Sequence, residues 1–226
     1  MSLFHSDAFL AFRSRDFSLL SVNQLCLILT IMIQEVVIAY SVYQLTQNPL
    51  SLGMIALIEL LPFICLSLIS GDWADRYNRQ KIVQWSFSCS TLIPLLFIVL
   101  FSQYQQQHIQ QNTLLCGIYS LIFCLGILRG IYSPSFNSLR PFLTPESAYS
   151  NAATWTALIW QIGGILAPLC AGLLLGQLGL EKTLFIVFFL CCVGSICLFG
   201  LSPRDFPSPH KQHLSKSLKE AYLFIF

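Results

Sequence analysis

Apolar and polar positions are segregated along this chain in blocks of tens of residues. Six long apolar segments run at about 18–43, 50–70, 82–101, 114–138, 152–176 and 183–201. An α-helix needs roughly 20 mostly apolar residues to cross about 30 Å of hydrocarbon, so each block is long enough to span a bilayer. Lipid gives a bare backbone nothing to bond to, so a spanning segment must be a helix or part of a closed barrel. Runs such as "LLPFICLSLI" lack the strict alternation of barrel strands. The pattern therefore predicts an all-α membrane protein with six transmembrane helices.

The polar connections differ sharply in charge. "QLTQNPL" and "SQYQQQHIQQN", after segments one and three, hold no Lys or Arg, and "GQLGLEKT", after segment five, holds only Lys182. The opposite side carries Arg13, Arg15, Arg76, Arg79, Lys81, Arg140, Arg204, Lys211, Lys216 and Lys219. Positive residues accumulate on the cytoplasmic side, so both the N-terminus and the C-terminal tail are expected there. The densest charge lies in "GDWADRYNRQK", residues 71–81, where five of eleven positions are Asp, Lys or Arg. It is expected to be the cytoplasmic turn between spans two and three.

Composition agrees. The chain is 55% hydrophobic and 10% charged, against about 25% charged for soluble domains. A net charge of +2 without a basic run gives no footprint for nucleic acid. The first 17 residues lack the apolar core and cleavage site of a signal peptide. All nine cysteines lie in apolar runs without a C-x-x-C pair and read as packing residues. His5, His108, His210 and His213 lie outside the spans. No metal site, cofactor or intramembrane Ser–His pair is therefore expected.

The loop 71–81 resembles the signature loop of the major facilitator superfamily, roughly G-x-L-A-D-R-x-G-R-K. Gly71, Ala74, Asp75, Arg76 and Arg79 match in spacing, and Asn78 stands where the second Gly is usual. Asn tolerates a left-handed backbone, so that conformation is expected at Asn78. "RDFSLLSVNQ", "YQLTQNPLSLG", "PSFNSLRPFLTPE" and "WQIGGILAPLCAGLLL" are similar to the exporter branch that includes the enterobactin exporter and macrolide-efflux relatives. The resemblance implies half of a twelve-helix fold: two three-helix inverted repeats in residues 18–201, behind a cytoplasmic segment at 1–17. Residues 202–226 read as a cytoplasmic linker with an amphipathic helix (Leu214, Leu218, Ala221, Ile225), cut off before a seventh span. It also implies a bacterial inner-membrane location and alternating-access efflux of a small amphiphilic molecule driven by protons. The chain would then need a C-terminal half or a second copy. A truncated, non-transporting remnant is the alternative. Gly71, Asp75, Arg76 and Arg79 would form a gating latch.

Gln34, Glu35, Glu59 and Arg129 are the strongly polar groups deep inside the spans. A charge at the bilayer centre costs roughly 2.5–3.5 kcal/mol, so each needs a partner or a wet cavity. Counted from the uncharged side, Glu35 lies roughly 12 Å deep, Glu59 roughly 14 Å and Arg129 roughly 22 Å. Two carboxylates at one depth do not both stay ionised cheaply, so one is expected to hold a proton. Arg129 matches the family's fourth-span Arg, which the resemblance ties to proton coupling by biasing a nearby carboxylate. "GGILAPLCAG" resembles the exporter-associated motif G-x-x-x-G-P-x-x-G-G. Gly163, Gly164, Ala167, Pro168, Ala171 and Gly172 are expected to form one helix-packing motif there. Trp155, Trp160, Phe63, Tyr40 and Tyr132 read as lipid-facing or interfacial aromatics, with a cavity lining as the alternative.

Overall fold

The computed structural model describes residues 9–203. Ser14 opens α1 (Arg15–Thr46) by accepting the Phe17 N–H, and Gln47 closes it in a left-handed conformation at φ 50°. Asn48 caps α2 (Pro49–Arg76), with Pro49 in the first turn, where its missing N–H costs nothing. Four helices follow the connection at residues 77–78: α3 (Arg79–Ser90), α4 (Leu92–Gln105), α5 (Gln111–Leu143) and α6 (Tyr149–Leu178). Gly179, at φ 79°, makes the turn into α7 (Leu180–Phe199). A side chain rarely adopts that angle.

Six spans result, as expected. α3 and α4 together make one span, Arg79–Gln105, interrupted at Thr91. Pro94 has no N–H for the Ser90 carbonyl. The Ser90 and Thr91 hydroxyls donate to the Phe87 and Ser88 carbonyls, both at 2.6 Å, and the Thr91 N–H turns to Ser88 at 3.2 Å. The helix tightens locally instead of stopping.

The signature loop is shorter than expected. α2 stays helical to Arg76, so only Tyr77 and Asn78 connect it to α3. Asn78 is not left-handed. It is extended, at φ −64° and ψ 108°, and its side chain accepts the Lys81 N–H. An N-cap explains its presence better than glycine mimicry does, because four N–H groups at a helix start need partners. The linker expected at 202–226 lies outside the described residues except for its first two positions, as do residues 1–8 of the 1–17 segment.

Between helices in lipid there is little hydrophobic drive, so close approach and hydrogen bonds decide the packing. The first span packs on the fifth and sixth, the second on the fourth, and the third on the fourth and sixth. Exchanging spans one, two and three for four, five and six maps this set onto itself. The second–fourth contact becomes fifth–first, and first–sixth becomes fourth–third. This is the arrangement two inverted three-helix repeats require. Val37, Val42, Phe97, Leu114, Ile118, Leu184 and Val187 fill the half nearer the uncharged loops. Phe87, Tyr132, Phe136, Leu139 and Leu198 fill the half nearer the charged ones.

The helices are also tied by side chains bonded to backbone carbonyls. Asn23 donates to Gly194 (3.0 Å), Gln24 to Thr156 (3.1 Å), Ser70 to Gly130 (2.7 Å), Gln84 to Leu198 (2.9 Å) and Gln111 to Leu45 (2.6 Å).

Candidate functional site

The costly charges of α1, α2 and α5 converge on one point. The Arg129 guanidinium donates from Nη1 and Nη2 to Glu35 Oε1, at 3.0 and 3.1 Å, and from Nη1 to Glu59 Oε1. Glu35 and Glu59 are thus bridged through Arg129 rather than left against one another. The side chains are 43% exposed for Glu35, 20% for Arg129 and 14% for Glu59.

Counting depth from the loops set Arg129 apart from the glutamates, and the structure corrects this. α5 begins well before the level at which α2 begins, and Arg129 reaches back along its helix on a long stem. The register is fixed by two glycines. A Cβ at Gly126 would stand 2.4 Å from the Glu59 carbonyl oxygen and 2.8 Å from Pro62. One at Gly130 would stand 3.0 Å from the Phe63 carbonyl oxygen. Gly126 and Gly130 form a G-x-x-x-G step that lets α5 lie against α2, and Arg129 leaves α5 between them. The sequence reading overlooked this pair, although "GILRG" displays the spacing.

Gln34 is buried, at 4% exposure, and lines a cavity of about 30 Å³ together with Arg129. Tyr132 lines the same cavity and donates to Asn23 Oδ1 at 2.9 Å, while Asn23 donates onward to Gly194. Asn23 was not singled out from sequence, because one Asn in a 26-residue apolar run carries no pattern. Of the aromatics considered from sequence, Tyr132 lines this cavity. Trp155 packs on Phe9 and Phe12 near the N-terminus, and Tyr40 and Trp160 are exposed.

The six motif residues of α6 do not share one face. Gly163, Ala167 and Ala171 are buried, and Gly163 faces Ile28 of α1. Gly164 and Gly172 have nothing within 4 Å of an added Cβ, and Pro168 is exposed. Helical periodicity separates the two stripes by one residue, about 100° around the helix.

The loop residues lie apart from the charged cluster. Asp75 and Arg76 end α2, and the structure describes only their backbone. Arg79 lies over the Phe142 ring of α5 at 5.3 Å, and Gly71 has open space beside it.

Comparison with known proteins agrees with this architecture. The family description Major Facilitator Superfamily matches residues 20–225. The chain is 25% identical over 172 residues to the uncharacterized MFS-type transporter YfiS of Bacillus subtilis (strain 168), covering 75% of this chain and 37% of that protein. It is 26% identical over 128 residues to a staphyloferrin A transporter of Staphylococcus aureus, covering 57% of this chain and 31% of the relative. Against the multi-drug resistance efflux pump PmrA of Streptococcus pneumoniae it is 28% identical over 133 residues, covering 59% and 30%. The chain thus spans about a third of the length of these relatives.

Proposed function

The chain belongs to the major facilitator superfamily, and on that premise we propose that it is one six-helix half of a proton-coupled exporter of a small amphiphilic molecule. The observation that carries this reading is Arg129 held between Glu35 and Glu59 by side chains of three different helices. Two carboxylates and one guanidinium sum to a charge of −1. One added proton brings the cluster to zero, so its charge state is switchable at the depth where switching matters.

Glu35 is the proton acceptor, because its side chain is 43% exposed while Glu59 is 14% exposed. A proton on a Glu35 oxygen gives a neutral acid, and the charge-assisted hydrogen bonds from Arg129 weaken. Glu59 keeps α2 tied to α5, while α1 loses its charged tie to α5. Proton loading therefore loosens the first span selectively, which suits the rocking of helix groups in alternating access. Arg129 keeps its charge throughout and acts as a fixed counter-ion.

Export is favoured over import by the likeness of Gly163, Ala167, Pro168, Ala171 and Gly172 to the exporter-associated motif. The multidrug pump among the relatives points the same way, and with the siderophore transporter it frames the substrate class as drug- or siderophore-like. The charge asymmetry of the loops supports an inner-membrane orientation with both ends in the cytoplasm. Gly71, Asp75, Arg76 and Arg79 are proposed as the cytoplasmic latch. A complementary six-helix half, or a second copy, supplies the other wall of the path.

The test is uphill transport in proteoliposomes that hold the chain with such a complementary half. Under an imposed proton gradient, Glu35→Gln should abolish accumulation against the substrate gradient while downhill exchange survives. Gln keeps the size and much of the hydrogen bonding and loses the titration. Uphill transport by a protein carrying both Glu35→Gln and Glu59→Gln would overturn the proposal.

A further inference from the structure

The cavity that Arg129 shares with Gln34 is walled by α1, α3, α5 and α7, and neither glutamate lines it. Its volume of about 30 Å³ is room for about two waters. The polar wall consists of Thr30, Gln34, Ser86, Ser90, Arg129 and Tyr132. Three of these hydroxyls have already placed their protons elsewhere. Ser86 donates to Ile82 (2.6 Å), Ser90 to Phe87 (2.6 Å) and Tyr132 to Asn23 (2.9 Å). Each keeps lone pairs, so these groups face a ligand as acceptors.

One buried donor stands unsatisfied beside them. Arg129 Nε is buried with no hydrogen-bond partner among the described residues. Gln34, a residue only 4% exposed, lines the cavity beside it with an amide that can both donate and accept. A buried donor of this kind is rare without a bound ligand or water.

The chemistry of the wall selects the occupant. A cation is repelled by Arg129. An anion finds the donors but meets hydroxyls whose protons point away. An apolar group leaves Arg129 Nε stranded. A pair of waters can accept from Arg129 Nε–H and, with four O–H groups between them, donate to the Ser86, Ser90 and Tyr132 oxygens.

We propose that this cavity is a hydration site of about two waters for Arg129, with Gln34 and Ser90 among its ligands, that takes over as Arg129's partner when Glu35 is protonated. The last clause rests on the coupling role proposed above, and the hydration itself does not. The device answers a physical need: a buried guanidinium that loses one of its two carboxylates is costly unless another acceptor replaces it.

The experiment uses the chain in lipid nanodiscs with ¹⁵N-labelled arginine. The Arg129 Nε–H signal is identified by its loss in Arg129→Lys. Magnetisation transfer from water to that proton is expected, and it should persist in Ser90→Ala. In Ser90→Val, whose branched side chain occupies the cavity, it should fall several-fold. In Glu35→Gln, which mimics the protonated state, the transfer should rise about twofold. Absence of transfer in the unmodified chain overturns the hydration site, as does transfer indifferent to Ser90→Val. An unchanged signal in Glu35→Gln overturns the partner exchange.

Thermal unfolding gives a second reading by sign. A dry void is improved by Val and enlarged by Ala, whereas a wet site is spoiled by Val and kept by Ala. Ser90→Val should therefore melt below Ser90→Ala, and the reverse order overturns the proposal. If Ser90→Val does not fold, water transfer in the unmodified chain decides. None of these readings involves transport, so failure of the uphill assay would sink the coupling role and leave the hydration site standing.

Discussion

Arg129 answers to two carboxylates on different helices, and its removal would set those carboxylates against each other. Arg129→Leu should therefore destabilise the unmodified chain more than it destabilises a Glu35→Gln/Glu59→Gln background. The difference, read from thermal unfolding in detergent, should be a coupling of about 0.5–3 kcal/mol. Equal losses in both backgrounds would mean that the contacts seen at 3.0 Å contribute nothing. Tyr132→Phe is a smaller test, because it leaves the buried Asn23 Oδ1 without its donor, for an expected loss of about 1–3 kcal/mol. The identities of Glu35, Glu59 and Arg129 were legible in sequence because charge is so expensive in an apolar run. Their meeting point was not, because residue counts measure height along each helix and say nothing of where helices start or how far an arginine stem reaches. Asn23 and Gln34 show the complementary limit, since an uncharged amide in a span gives no sign of which neighbour it serves.

At the level of elements, apolar length located every span, but it underestimated the helices. α2 continues to Arg76 beyond the predicted end at 70. A helix does not stop where hydrocarbon stops, and its end is set by caps and turns instead. Asn78 is such a cap. Asn78→Ala should cost about 1 kcal/mol and Asn78→Gly only a few tenths. A left-handed site would instead favour Gly outright, so a more stable Gly variant would contradict the observed geometry. The α2–α5 contact makes a sharper prediction. Gly126→Ala forces a methyl against the Glu59 backbone and should cost about 1–3 kcal/mol as overpacking. It should also displace Glu59 from Arg129, seen as a weakened Arg129–Glu59 coupling in the same mutant cycle. Gly164→Ala, with open space at its Cβ, should leave the melting temperature of the chain unchanged. Sequence alone ranked these positions the other way, because a familiar motif outweighed an unmarked G-x-x-x-G step.

For the molecule as a whole, the proposed orientation rests on ten cationic residues facing one, and the packing of six spans follows a rule of exchange between two sets of three. Single cysteines at Gln47 and Gln106, in a background lacking the native nine, should label from outside intact cells, and one at Asn78 should not. Labelling of position 78 would invert the orientation. The ties between helices carry a further consequence, for how the protein tolerates change over generations. In the five that join a side chain to a carbonyl, one end is a backbone group that every amino acid possesses. Only the donor end is exposed to selection as a side chain. A saturation scan should therefore be lopsided, with Gln24, Gln84 and Asn23 intolerant while Thr156 and Leu45, which contribute only their carbonyls to these bonds, accept many replacements. At Thr156 and Leu45 the wiring of this bundle is invisible to mutation, and the sequence can drift there without the helices losing hold of one another.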